Sequence, residues 1–313
     1  MFSRTQLAQH LPAFSGDAVL SESAKAYQQF YAIERSEQCR LGYFTAGAYR
    51  IACQAWWPEN PVATVIVLHG YFDHMGLYRH VLDWALSRQC AVLMCDLPGH
   101  GLSSGAIASI DSFAEYQAVL QGLFAQAKQL KLPQPWHLLG QSTGAGILIE
   151  HLLSGDVSPA MGKTALLAPL VRPTNWRKII WTYHTVRHFT QQVPRRFSEN
   201  SSDPAFLTFL RQQDPLQSRF VTTRWVGAMM DWERRVQCLP AACAPIAPLV
   251  VQGECDGTVD WRYNLPWLQQ RFAQLKPLKI TTARHHLVNE AKPLRESVFA
   301  HLTDYFRLYA NPC

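Results

Sequence analysis

Ser142 stands in the pentapeptide Gly140-Gln141-Ser142-Thr143-Gly144. Residues 136–139 before it form an apolar, strand-like run, and a helix-like stretch covers 146–153 after it. A G-x-S-x-G sequence between strand and helix predicts a sharp elbow that lifts the serine hydroxyl to the top of a sheet. Glycine at 140 and 144 lets the strand and helix approach closely. The elbow also sets the hydroxyl beside a helix N-terminus, where backbone N–H groups favour developing negative charge. The plainer reading of the same residues is a turn whose serine merely caps the helix.

A serine hydroxyl is a weak nucleophile until a base takes its proton and an acid orients that base. With this elbow the expected chain order is Ser, acid, His. Residues 249–251 form a strand-like run leading into a turn with three acids, Glu254, Asp256 and Asp260. Residues 278–281 lead into a loop with the doublet His285-His286. Both turns follow strands, at the carboxyl ends where open α/β sheets build their sites. On these residues alone, three acids compete for one role and two histidines for another.

Several elements must position these groups. Short, mostly apolar runs at 62–68, 91–95, 136–139, 164–167, 249–251 and 278–281 read as strands buried on both faces. Helix-like stretches at 78–88, 112–130, 146–153, 265–275 and 294–308 separate them. The alternation predicts an α/β fold with a mostly parallel central sheet and helices on both faces. A hairpin is expected at 41–44 and 49–56, after a mobile start and a helix at 24–34. No strand-like run interrupts residues 172–236. Trp176, Ile179, Ile180 and Tyr183, then Trp225, Met229, Trp232 and Val236, recur there at helical spacing. The expectation is a core domain of 1–171 and 237–313 carrying a helical cap insertion at 172–236.

Four blocks together resemble the α/β-hydrolase superfamily, in particular the monoacylglycerol lipase and lysophospholipase group with its serine aminopeptidase-like members. They are His69-Gly70-Tyr71-Phe72-Asp73-His74 with Tyr78-Arg79; Asp96-Leu97-Pro98-Gly99-His100-Gly101-Leu102-Ser103; the elbow; and Gly253-x-x-Asp256-x-x-Val259 with His285-x-Leu287-x-x-Glu290. Their order and spacing cover nearly the whole chain. The resemblance implies an α/β-hydrolase fold and a catalytic triad of Ser142, Asp256 and His285. It implies an oxyanion hole made by the backbone N–H groups of Tyr71 and Thr143, with Gly70 permitting the loop geometry. It gives the turn around His100 a structural role.

The 313 residues are 48% hydrophobic and 17% charged, which excludes a disordered chain. No apolar run reaches the ~20 residues of a membrane-spanning helix, and no secretory leader is evident, so a cytoplasmic protein is expected. The eight cysteines, at 39, 53, 90, 95, 238, 243, 255 and 313, make no metal-ligand pattern and read as reduced thiols. No metal and no cofactor is expected. The net charge of +6 is confined to the insertion, which holds eleven Lys/Arg against five Asp/Glu.

Aromatic and methionine residues of the insertion (Trp176, Trp181, Tyr183, Phe197, Phe206, Phe209, Trp225, Met229, Met230) are candidates to line an acyl groove, although each could simply pack the cap down. The basic face suits anionic headgroups or the inner face of a membrane. No nucleic-acid motif accompanies the charge, so a nucleic-acid partner is not expected. The resulting expectation is a serine hydrolase cleaving carboxyl esters of single-chain lipids, of lysophospholipase or monoacylglycerol lipase type. The alternatives are a general carboxylesterase, a serine aminopeptidase, or a binding protein that kept the fold without the chemistry.

Overall fold

An eight-stranded sheet runs through the computed structural model, which describes residues 2–14, 19–155, 160–243 and 246–309. In chain order the elements are α1 (Arg4–His10), α2 (Glu22–Phe30), β1 (Gln38–Ala46), β2 (Tyr49–Trp57), β3 (Ala63–Leu68), α3 (Arg79–Leu86), β4 (Cys90–Cys95), α4 (Phe113–Gln129), β5 (Trp136–Gln141), α5 (Thr143–Ser154) and β6 (Met161–Leu167). There follow α6 (Trp176–Val186), β7 (Gln192–Pro194), α7 (Pro204–Thr208), β8 (Phe220–Thr222), α8 (Thr223–Gln237), β9 (Leu249–Gly253), α9 (Trp261–Arg271), β10 (Leu278–Ile280) and α10 (Lys292–Phe306).

The sheet order is β1-β2-β4-β3-β5-β6-β9-β10. Only β2 runs against the others. Continuous apolar runs fold this way because helices cover both faces, so every residue of β3, β4 and β5 is buried. Along β3, Val65 and Val67 join the core under α3 and α10, while Ile66 and Leu68 join the core under α4, α5 and α9. That alternation is the two-residue period of a strand clothed on both sides.

The segment between β6 and β9 leaves the sheet. Its helix α8 is capped by the Thr222 hydroxyl, which accepts from Trp225 N–H at 3.3 Å. The helix buries Trp225, Met229, Trp232 and Val236 along one face. The insertion is not wholly helical: β7 and β8 pair as a small antiparallel ribbon. Two three-residue strands, neither of them buried, leave no periodic trace in a sequence.

The chain start also departs from expectation. Residues 4–10 form a helix capped by Ser3, and Leu7 and Leu11 reach the core with Phe14. One buried apolar residue in seven is too weak a stripe to predict such a helix. The second helix ends at Phe30, because Ala32 takes a left-handed φ of 52°.

Candidate active site

Ser142 has φ 54° and ψ −109°, a conformation that non-glycine residues adopt only where their surroundings impose it. Here the surroundings do. Ser142 N–H donates to Leu167 O at 2.9 Å, and its carbonyl accepts from Gly146 and Leu170 N–H at 3.0 and 3.1 Å. A Cβ on Gly140 would stand 2.6 Å from Ala145 N and Gly144 C, and one on Gly144 would strike the Leu68 carbonyl. These obstacles are backbone atoms, so glycine is required at both positions. Ser142 itself is 7% exposed and lines a cavity of about 700 Å³ at the carboxyl edge of the sheet.

Asp256 and His285 meet across the turns after β9 and β10. His285 Nδ1 lies 2.7 Å from Asp256 Oδ2. The carboxylate cannot donate, so the ring donates through Nδ1 and keeps Nε2 as the basic nitrogen. Asp256 is held by three further donors: Gln252 Nε2 at 3.0 Å, Thr258 N–H at 2.7 Å and Val259 N–H at 3.2 Å. Burial would raise the Asp256 carboxyl, yet the imidazole beside it and these donors hold it below the usual carboxylate range. Burial likewise disfavours charge on His285, but the Asp256 carboxylate outweighs it and raises the imidazole pKa above 6.5. His285 lines the same cavity as Ser142.

The other acids lie elsewhere, and the other histidine, which lines the same cavity, faces another carboxylate. Glu254 pairs at the surface with Lys279, at 3.0 Å, and Asp260 caps α9 by accepting from Tyr263 N–H. His286 Nε2 approaches Asp73 Oδ2 at 3.0 Å and its ring meets Phe206. The one-residue step in the doublet thus sends the two rings to different carboxylates.

Tyr71 and Thr143 both line the cavity. Thr143 opens α5, where N–H groups have no intrahelical acceptor. Tyr71 follows Gly70, which lies beside Ser142 and Asp73. Its side chain is committed to the wall: the hydroxyl donates to Ala108 O at 2.8 Å, and the ring stacks on Trp225 at 3.7 Å and 13°. Trp225 Nε1 in turn donates to Tyr116 Oη at 3.1 Å. This loop is carried by His69, whose Nδ1 donates to Gly70 O at 2.8 Å while Nε2 accepts from Leu97 N–H at 2.9 Å. Burial lowers the His69 pKa to about 3, so the ring is neutral and bridges the two loops. His100 is buried against Pro98 O and does not line the cavity.

The roof of the cavity comes from the insertion, but not mainly from its aromatics. Of the nine aromatic and methionine candidates, Tyr183, Trp225 and Met229 line it. Trp176 and Met230 are buried in the core, and Trp181 is 69% exposed. Phe206 and Phe209 pack toward α2 and His286. Phe197 lies under Arg195 and Arg219. Aliphatic residues such as Ile179, Val186, Val193 and Val226 supply much of the lining.

One margin of the insertion is fastened to the histidine loop. Arg284 Nη1 donates to Glu199 O, His286 N–H to Asn200 O at 2.7 Å, Ser201 Oγ to Asn289 O at 2.7 Å, and Ser202 N–H to the buried Glu290 carboxylate at 2.6 Å. Glu290 also accepts from Arg284 N–H. Among the described residues, no group of three or more His, Cys, Asp or Glu is placed to hold a metal ion. The seven described cysteines are free, and Cys313 lies outside the described residues.

The sheet order, the elbow and the loops at its carboxyl edge define an α/β hydrolase. The family model described as serine aminopeptidase, S33, matches residues 59–292. Phospholipase YtpA of Bacillus subtilis (strain 168) is 34% identical over 268 residues, 78% of this chain and 95% of that protein. The chain belongs to this family of hydrolases. The monoglyceride lipase of Homo sapiens is 25% identical over 258 residues, 79% of this chain and 83% of its own. The crystal structure of a monoglyceride lipase from Saccharomyces cerevisiae, in complex with a substrate analogue, superposes with a TM-score of 0.74. It covers 89% of this chain and 97% of that one at 15% identity, a likeness of fold alone.

Proposed function

We propose that this chain hydrolyses carboxyl esters of single-chain lipids through an acyl-enzyme on Ser142. The observation that carries the reading is the Asp256–His285 pair, closed at 2.7 Å and presented to the same cavity as the elbow serine. In this reading Ser142 Oγ attacks the ester carbonyl as His285 Nε2 takes its proton. The oxyanion is met by the N–H groups of Tyr71 and Thr143, each worth ~3 kcal/mol of barrier. Collapse expels the alcohol, which leaves with the proton from His285. Water, activated by the same imidazole, then releases the fatty acid. Asp256 holds the ring and balances its transient charge.

The cavity size falls within the ~300–1,000 Å³ usual for small-ligand sites, and its aliphatic roof suits an acyl chain. Relatives named as a phospholipase and a monoglyceride lipase support the same substrate class. The aminopeptidase reading is weaker despite the family description. A substrate ammonium would meet Lys178, Arg195 and Arg196 in the lining, with Asp73 the one carboxylate there, already beside His286. A short-ester specificity leaves the apolar roof without a role.

Contact with an anionic lipid surface belongs to the same proposal. Trp181 and Phe189 are 69% and 89% exposed, near Arg177, Lys178 and Arg187. Apolar side chains flanked by cations are the pattern of an interfacial surface. Among the described residues no helix is long and apolar enough to cross a membrane. The test is a panel of lysophospholipids, monoacylglycerols, short esters and aminoacyl anilides, with fluorophosphonate labelling. Ser142→Ala is expected to lose labelling and all ester turnover while keeping its circular dichroism. Turnover by that variant at the wild-type rate defeats the assignment.

A further inference from the structure

Arg195 follows β7 and lines the cavity from the roof. Its guanidinium lies 3.9 Å from the ring centroid of Phe72 and 4.4 Å from that of Phe197. Nη1 donates to Gln217 Oε1 at 2.7 Å and to Ser218 O at 3.3 Å. Among the described residues it forms no ion pair, and Nε and Nη2 have no acceptor. Every partner it has is neutral. A guanidinium is a rigid fork of five donors, suited to bidentate capture of a carboxylate or phosphate. Here one nitrogen is hydrogen-bonded and two aromatic rings lie against the guanidinium, which leaves the remaining donors over.

The charge is offset only at a distance, by the Asp73 and Asp214 carboxylates, with no ion pair formed. Removing a cation from water is costly without a counter-charge. Burial draws the Arg195 pKa down to about 10, with Asp73 and Tyr71 opposing the fall. Asp73 does not serve as its partner, since His286 and the Tyr78 hydroxyl (3.1 Å) engage that carboxylate. Lys178 and Arg196 add positive charge to the same lining.

The position is specific as well. Phe72, under Arg195, holds a left-handed φ of 72° and directly follows Tyr71. The guanidinium therefore packs on the residue that directly follows the proposed oxyanion donor Tyr71. In a glycerophospholipid whose one acyl chain is at the terminal hydroxyl, three glycerol carbons separate the ester oxygen from the phosphate oxygen. An ester carbonyl over Ser142 would carry such a phosphate toward Arg195.

We infer that Arg195 is the anion-recognising residue of this cavity, and that its substrates are single-chain glycerophospholipids whose phosphodiester sits on that guanidinium. This rests on the ester-hydrolase reading above and narrows it.

The test uses the full chain and two soluble substrates below their aggregation concentrations, octanoyl lysophosphatidylglycerol and monooctanoylglycerol. The readout is the ratio of their kcat/KM values in wild type, Arg195→Gln, Arg195→Lys and the surface control Arg234→Gln. Loss of a charge-assisted hydrogen-bonded contact predicts a fall of about tenfold or more in the ratio for Arg195→Gln, from a rise in KM for the phospholipid. Partial recovery is expected in Arg195→Lys and no change in Arg234→Gln. An unchanged ratio in folded Arg195→Gln overturns the inference, as does an equal fall in Arg234→Gln. Should Arg195→Gln not fold, wild type decides: glycerol 3-phosphate, unlike glycerol, is expected to compete with p-nitrophenyl butyrate, and absence of competition overturns the proposal. Hydrolysis of the neutral ester with rejection of the phospholipid defeats this inference alone. Failure to hydrolyse any ester defeats the reading beneath it.

Discussion

The side-chain amide of Gln141 donates to the backbone carbonyl of His285 at 2.9 Å. One residue precedes the elbow serine and the other is the candidate base, so this bond ties the end of β5 to the loop after β10. The elbow and the histidine loop are thereby fastened to one scaffold through a bond that involves neither the serine hydroxyl nor the imidazole. Near-attack geometry is worth many-fold in rate, and a displacement of about 1 Å can cost about 100-fold.

The two histidines offer a direct comparison. His285→Ala is expected to lower kcat on p-nitrophenyl butyrate by about 10⁴-fold or more, as deletion of a general base does. His286→Gln removes a neighbour of Asp73 from the cavity wall, so its loss should stay within about 100-fold, the cost of a shifted site. Steady-state kinetics on both variants decides. Equal losses, or the reverse order, would transfer the role of base to His286.

The acid limb of the pH profile follows from the Asp256 bond. The base must be neutral to take the serine proton, and the carboxylate raises its pKa above 6.5. The kcat/KM limb is therefore expected above pH 6.5, with activity lost as pH falls through it. Asp256→Asn removes the largest raising charge and leaves burial opposed by Asp73 alone, so the limb should move to lower pH, with a rate loss of about 10⁴-fold. A pH–rate profile of both proteins measures the shift, and a limb that stays in place contradicts the pairing.

Trp225 carries the ring of Tyr71 at 3.7 Å. Trp225→Ala should loosen the loop that holds the Tyr71 N–H and lower kcat by about 10² or less, the loss of one oxyanion donor being the ceiling. A change in KM with kcat intact would show instead that Trp225 only lines the acyl site.

A second buried pair supports the insertion. His74 Nε2 meets Asp214 Oδ2 at 2.9 Å, and Tyr31 Oη donates to Asp214 Oδ1 at 2.7 Å. Burial opposes both charges, but each holds the other: the imidazole pKa is raised and the carboxyl pKa lowered. The carboxylate contribution is present above about pH 3.8 and is lost as pH falls through the lowered value. The imidazole contribution is full below pH 6.5 and is lost as pH rises through the raised value. Asp214→Ala should therefore destabilise most between pH 4 and 6.5, by about 3–5 kcal/mol, because it leaves His74 and Tyr31 buried without their acceptor. Chemical denaturation across pH tests this, and a difference independent of pH removes the electrostatic account.

Much of this site is legible in the chain because its chemistry is local. Ser142 announces itself through Gly140 and Gly144, since the backbone collisions that demand glycine arise within one strand–helix turn and the strand beside it. The choice between His285 and His286 is different in kind. Adjacent residues project in different directions, and only tertiary packing says which one faces Asp256; the family pattern supplied that answer. Arg195 is one of eleven basic residues in the insertion, and nothing in its neighbours tells that it turns inward. Tyr31, His74 and Asp214 are separated by up to 183 residues, so no window of sequence holds the cluster. The ribbon of β7 and β8 and the helix α1 escaped because each buries too little to impose a period.

The stitching of residues 199–202 onto 284–290 has a consequence for traffic. A canopy sewn down beside the reacting atoms cannot lift away as a whole without unpicking the base loop itself. On the lipid-ester proposal, an acyl tail is then left to the part of the lining that α6 and the ribbon supply, with Thr182, Val186 and Val193.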